Sequence, residues 1–311
     1  MGKELYLLKV GDLYGYIDYT GEIVIEPMYK NANDFSDDIA LVTTADGKKK
    51  FINEKNEELF TVDFEGISSF NNGYAFFRKD GKTGFINKNG EIEIQPEIDW
   101  VIKNFDSNSL SIVEVKEKWG VIDKSGDFVV EPIYEGINDF GDGLMSARLN
   151  GKAGFIDING NVKIDFKFTD VGPFSEGIAI ASIDGEKYGY IDNSGEFIIQ
   201  PEYYNGFDFK DGLAAVTLKL DGRWGFINKE GELVIKNKYI TVDSFSEGLA
   251  VAEYGKGIGY INTNGKVILK HIFNSAYSFK NSLGLVTYKG EWGYVNKEGE
   301  FVYKPKSFDL W

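Results

Sequence analysis

Residues 175–209 read SEGIAIASIDGEKYGYIDNSGEFIIQPEYYNGFDF, and this stretch decides the fold. Its opening run, Ile178 to Ile183, is short, apolar and partly β-branched, and Asp184-Gly185 after it is a hairpin turn signal. That is a first strand. Tyr188 to Asp192 is a second, and Asn193-Ser194-Gly195 turns the chain back, with Asp192 placed to accept backbone bonds and Gly195 supplying a positive φ. Glu196 to Gln200 is a third, which Pro201 is expected to end because proline cannot donate to a ladder. Tyr203 to Phe209 reads as either a short edge strand or a loop.

The same pattern recurs along the whole chain. Its anchor is Gly, an aromatic or Val, Ile or Val, then Asp or Asn, beginning at Gly15, Gly84, Gly120, Gly154, Gly189, Gly225, Gly259 and Gly293, with a ninth copy at Lys50 that has lost the glycine. Successive anchors are 35, 34, 36, 34, 35, 36, 34 and 34 residues apart. Such a period identifies a repeat array. Phe closes each copy but the last, at Phe35, Phe70, Phe105, Phe140, Phe174, Phe209, Phe245 and Phe279. One array of nine units therefore spans 1–311, with boundaries near 35, 70, 105, 140, 174, 209, 245 and 279.

Helix is excluded for most of the chain, because a Gly-containing turn interrupts every six to ten residues. The class is all-β. Runs such as Leu213 to Val216, Leu249 to Ala252, Ile23 to Ile25 and Leu233 to Ile235 are continuously apolar, which predicts sheets covered on both faces. A small meander of this kind needs a neighbour on each side. The expected architecture is a face-to-face stack of nine β-meander units of about 35 residues, like the blades of a propeller ring, with an open β superhelix as the alternative.

The chain carries 34 Lys and Arg against 49 Asp and Glu, a net charge of −15. That balance repels phosphate backbones and makes nucleic acid an unfavourable partner. There is no cysteine, so disulfides and thiolate zinc sites are excluded. Residues 1–10 lack the apolar run of a signal segment, and no stretch is long enough to span a membrane. A cytoplasmic protein is the default expectation, and a secreted chain trimmed of its signal is the alternative.

Lys118-Trp119-Gly120-Val121-Ile122-Asp123, Arg223-Trp224-Gly225-Phe226-Ile227-Asn228 and Glu291-Trp292-Gly293-Tyr294-Val295-Asn296, with Phe-Ser-Glu-Gly-Ile/Leu-Ala at 174–179 and 245–250, resemble the WG-repeat (KWG-repeat) family of bacterial proteins. Elsewhere the Trp position holds Tyr14, Lys49, Thr83, Ala153, Tyr188 or Ile258. The resemblance implies a repeat module that mediates interactions, and it brings no catalytic residues.

The residues themselves point the same way. His271 is the one histidine, too few for a His-based metal cluster and without a nucleophile signal for a triad. The recurring Asp or Asn of the anchor (Asp18, Asn53, Asn87, Asp123, Asp157, Asp192, Asn228, Asn262, Asn296) precedes a turn and is expected to bond its own backbone two residues on; its free exchange of acid for amide argues against a catalytic carboxylate. Asp142-Gly143, Glu176-Gly177, Asp211-Gly212 and Glu247-Gly248 are read as turns. Lys82, Lys118, Lys152, Lys187 and Arg223 occupy one equivalent position, two residues before the anchor Gly, and form a candidate basic binding stripe. Trp119, Trp224 and Trp292 are candidate aromatic contacts. A non-catalytic scaffold for a protein partner is therefore expected, with no metal and no cofactor. A glycan-binding protein or propeller-type glycan-active enzyme is the alternative.

Overall fold

The computed structural model describes residues 4–305, apart from the side chains of residues 139 and 140, so the Phe140 side chain of the repeat pattern lies outside the described part. Every regular element among the described residues is a β-strand. The strands form nine antiparallel sheets in chain order. Contacts gather these into two compact units, one through Glu135 with the first four sheets and one from Gly136 with the other five.

The seventh sheet shows the plan. A two-residue lead strand, Asn205–Gly206, pairs with the first strand, Ala214–Thr217; the second strand, Trp224–Ile227, and the third, Leu233–Tyr239, follow. The segment after the third strand of one sheet is thus a short strand, and it belongs to the next sheet. In the sixth sheet the third strand is Phe197–Tyr203, so Pro201 does not end it. The strand is an edge, where a missing N–H forfeits no ladder bond. The first sheet consists of Leu5–Val10, Leu13–Asp18 and Ile23–Tyr29, and the eighth has a single bridge, Val242 to Ala252, in place of a lead strand.

Pairing of second and third strands slips opposite the anchor glycine. Tyr14 faces Tyr29 and Tyr16 faces Ile25, which leaves three residues, Glu26 to Met28, opposite Gly15. A Cβ on Gly15 would lie 2.3 Å from the Ile25 carbonyl oxygen, so the bulged strand takes the space a side chain would need. The Lys50 copy lacks the slip there, with Lys49, Lys50 and Phe51 facing Val62, Thr61 and Phe60 in register. The glycine and the bulge are lost together.

Burial separates the strands. All of Ala179–Ser182 and Ala214–Thr217 are buried, as expected for central strands covered on both faces. The third strands depart from that expectation. Ile23 and Val24 are exposed while Ile25 and Tyr29 are buried, and Leu233 and Val234 are exposed while Ile235 and Tyr239 are buried. At an edge strand a continuous apolar run is covered only where a neighbouring sheet reaches it.

The closing phenylalanines hold sheet to sheet. Within the first unit Phe35 packs on Tyr16 at 4.7 Å between ring centroids, Phe70 on Phe51 at 4.9 Å and Phe105 on Phe85 at 4.8 Å. In the second unit Phe174 packs on Phe155, Phe209 on Tyr190, Phe245 on Phe226 and Phe279 on Tyr260, all at 4.7–5.0 Å. Each pair joins an anchor aromatic to the phenylalanine of the next sheet, and such pairs contribute about 0.5–1.5 kcal/mol beyond the area they bury. At three Tyr anchors the hydroxyl donates to the same loop: Tyr16 to Asn33 O at 2.6 Å, Tyr190 to Phe207 O at 3.0 Å and Tyr260 to Tyr277 O at 2.7 Å.

Candidate functional site

All nine anchor Asp and Asn side chains are engaged in their own turns. In each, Oδ1 accepts from the backbone N–H groups two and four residues on: Thr20 and Glu22 for Asp18, Ser125 and Asp127 for Asp123, Ser194 and Glu196 for Asp192, Glu298 and Glu300 for Asn296. Asn53, Asn87, Asp157, Asn228 and Asn262 repeat the pattern. An amide oxygen and a carboxylate oxygen accept these two bonds equally well, which explains the free exchange of Asn and Asp. Donors around Asp192, first the Ser194 hydroxyl, hold its carboxyl below the usual range.

The acidic hairpins before the first strands do more than turn. Asp142, Glu176, Asp211 and Glu247 have positive φ at the first central position, and their carboxylates cross to the equivalent hairpin of the next sheet. Asp142 accepts from Gly177 N at 2.6 Å, Glu176 from Gly212 N at 3.2 Å, Asp211 from Gly248 N at 2.6 Å and Glu247 from Ser282 N at 3.0 Å; in the first unit Asp37 accepts from Gly73 N at 2.6 Å. Lysines that follow the anchor Asn reinforce some of these latches, Lys229 Nζ reaching Glu176 Oε2 at 3.2 Å and Lys297 Nζ reaching Glu247 Oε2 at 2.7 Å. Sequence reasoning missed this role. Its signal was a lysine after the anchor Asx, as at Lys88, Lys124, Lys229 and Lys297, one sheet beyond an acidic or Asn hairpin.

The basic positions fall in equivalent places. Lys82 and Lys118 open the second strands Lys82–Asn87 and Lys118–Asp123 of successive sheets in the first unit. Lys152 opens Lys152–Asp157 in the second unit, where Lys187 and Arg223 immediately precede Tyr188–Ile191 and Trp224–Ile227. Lys118 and Arg223 are exposed. Others have local partners: Lys82 an ion pair with Asp99, Lys152 the Thr169 hydroxyl at 3.4 Å, and Lys187 both the Glu202 carbonyl at 3.0 Å and the Tyr204 ring, 3.3 Å from its centroid.

Trp119, Trp224 and Trp292 are half-buried, and Trp224 lies on Phe207 with ring centroids 4.7 Å apart. His271 stands in Val267–Phe273 near the rings of Tyr239 and Tyr254, at 6.2 and 5.9 Å; burial pushes its pKa down, with Lys238 adding to the shift.

A cleft of about 420 Å³ opens in the second unit where Asp170, Gly172, Ile180 and Tyr188 of the sixth sheet face Phe207 and Asp208, which follow the lead strand of the seventh. Tyr188 donates to Asp170 Oδ2 at 3.0 Å. Asp208 is half-buried, and the loss of solvation raises its pKa against the opposing effect of Lys210. None of these residues was a sequence candidate, because their convergence depends on the lead strand joining the following sheet.

Nine consecutive segments, at 14–48, 51–82, 84–119, 119–152, 154–186, 188–219, 224–256, 258–291 and 292–307, match the model of the WG containing repeat. The chain belongs to the WG-repeat family. No curated protein matches it. Among solved structures, that of the eukaryotic initiation factor is similar, with a TM-score of 0.64 at 14% identity over 96% of this chain and 95% of that one. The dihydro-heme d1 dehydrogenase NirN in complex with DHE has a TM-score of 0.49 at 11% identity, covering 85% of this chain and 72% of its own. BamB from Moraxella catarrhalis has 0.47 at 12%, covering 83% and 93%. The first likeness is one of fold alone. With their antiparallel order, phenylalanine seams and hairpin latches, the sheets of this WG-repeat protein are blades of the β-propeller class. Among the described residues no helix is long and apolar enough to cross a membrane.

Proposed function

We propose that this chain is a non-catalytic scaffold that binds a protein partner. What carries the reading is a repeated exposure of apolar side chains at one position, the opening residue of the third strand: Ile23, Ile92 and Phe128 in the first unit, and Val162, Leu233 and Val267 in the second. Each is about 40–50% exposed at the edge of a blade, where burying it would add nothing to the blade itself. An apolar position exposed in blade after blade offers a partner a repeated contact that randomly scattered surface residues would not. Propeller blades commonly serve in this way, and the anchor carboxylates, the obvious catalytic candidates, are occupied in turns.

The test is capture of native partners on immobilised protein, comparing wild type with a Val162→Lys, Leu233→Lys, Val267→Lys triple variant. The variant is expected to melt within a few degrees of wild type and to lose capture. Undiminished capture, or none by wild type, sinks the reading. Glycan binding is the second reading, favoured by the half-exposed stacked pair of Phe207 and Trp224, and a glycan array tests it.

A further inference from the structure

The cleft between the sixth and seventh sheets is built unlike a generic surface groove. Its floor has two positions without side chains, Gly172 and Gly206. A Cβ on Gly172 would stand 2.6 Å from Ile180 Cγ2 and 2.8 Å from Asp208 Oδ1, and a Cβ on Gly206 would stand 2.7 Å from both Ile180 Cδ1 and the Tyr190 hydroxyl. Ile180 therefore lies directly on both backbones, and Asp208 leans across from one sheet to the backbone of the other. Phe207 also lines the cleft, with its ring tilted on Trp224 and packed towards the core of the seventh and eighth sheets. Tyr188 fixes the second carboxylate, Asp170, from below.

The lining thus combines an aromatic residue with two carboxylates and contains no basic side chain. Arg148 Nη2 approaches Asp170 Oδ1 only to 4.0 Å, at the limit of an ion pair, and its stronger contacts are with the Gly151 and Thr169 carbonyls. An anionic occupant would be repelled. A neutral sugar could use the ring but would add nothing to offset the desolvation of Asp208, which Lys210 opposes only in part. A planar cation satisfies both features, because a guanidinium stacks on an aromatic face while its edge donates to carboxylates.

We propose that this cleft receives the guanidinium of an arginine presented by the protein partner, stacked against Phe207 and paired with Asp208. The inference deepens the scaffold reading and rests on it. The net charge of −15 favours approach of such a partner.

The test uses the full chain and N-acetyl-arginine methylamide as the probe, followed by two-dimensional NMR, with the citrulline analogue as a neutral isostere and N-acetylglucosamine as a sugar. Expected is saturable millimolar binding of the arginine probe, with shifts concentrated at Gly172, Tyr188 and Phe207. Binding should weaken at least about tenfold in Asp208→Asn and also in Phe207→Leu, and citrulline should not saturate. Equal binding of citrulline, equal binding by a folded Asp208→Asn protein, a preference for the sugar, or no saturation by tens of millimolar arginine probe overturns the proposal. Capture of native partners keeps the two readings apart. Capture that survives Asp208→Asn removes the arginine cleft and leaves the scaffold, whereas a wild type that captures nothing removes the scaffold even where the probe binds.

Discussion

A Cβ placed on Gly120 would stand 2.6 Å from the carbonyl oxygen of Val130 and 2.9 Å from the nitrogen of Pro132. The anchor glycine is therefore required by its own sheet. The third strand bulges at this point, Trp119 facing Tyr134 and Val121 facing Val130, and the slack backbone folds over the glycine. Gly120→Val should cost stability at the upper end of about 1–3 kcal/mol, since the clash is with backbone that has no rotamer to change. Lys50→Val, in the copy without the bulge, should cost under about 1 kcal/mol, mostly the exposed contact with Glu58. Urea melts of the two variants check the contrast. Equal losses would show that the glycine and the bulge are unrelated.

The hairpin latch gives a second prediction. Glu176 accepts from Gly212 N, and Lys229 donates to both the carboxylate and the carbonyl of Glu176. Glu176→Ala should destabilise the chain by about 1 kcal/mol, within the range for one charge-assisted bond at a partly exposed site. Its more specific effect is on amide exchange, because the Gly212 N–H loses its acceptor. Exchange at Gly212 should accelerate while that at Gly248, latched by Asp211, stays unchanged. Parallel acceleration of both would mean that the bond to Glu176 is incidental.

The anchor motif was legible because its chemistry is local. Asp192 needs only its own turn, and a period of 34–36 residues repeats that turn nine times. What the sequence could not display was which sheet a residue joins. Asn205–Gly206 has two residues and no strand propensity, yet its pairing with Ala214–Thr217 sets the segment in the seventh sheet and brings Phe207 and Asp208 to the cleft that residues of the sixth also line. The apolar run 233–235 looked doubly covered, although a neighbouring sheet reaches only Ile235. Pro201 looked like a strand end because the freedom of an edge strand to carry proline depends on sheet order.

His271 makes stability depend on pH. Burial lowers its pKa in the folded chain, with Lys238 contributing, and the groups around the ring are Tyr239, Tyr254 and that lysine. As pH falls through about 6.5, the unfolded chain takes up the proton first, so stability is full above that value and declines below it. Melting temperatures of wild type and His271→Gln, compared between pH 7.5 and pH 5, should diverge towards acid, with wild type losing more. Parallel curves would place the acid sensitivity elsewhere.

The basic positions give the last prediction, and their local contacts make them unequal. Lys118 is exposed and Lys152 has only a long hydrogen bond, so Lys118→Glu and Lys152→Glu should each change stability by no more than about 0.5 kcal/mol. The ammonium of Lys187 stands over the Tyr204 ring and is bonded to the Glu202 carbonyl, so Lys187→Glu should cost about 0.5–1 kcal/mol. If these residues bind an acidic surface of the partner, capture should fall in all three variants, most steeply at low salt where the attraction is least screened. Wild-type capture should itself weaken as salt is raised. Loss confined to Lys187→Glu would instead follow the stability order and assign its lysine to the sheet alone. Capture that is unchanged in Lys118→Glu and Lys152→Glu at low salt would remove the stripe from the interface and leave the apolar strand openings at Val162, Leu233 and Val267 to carry it.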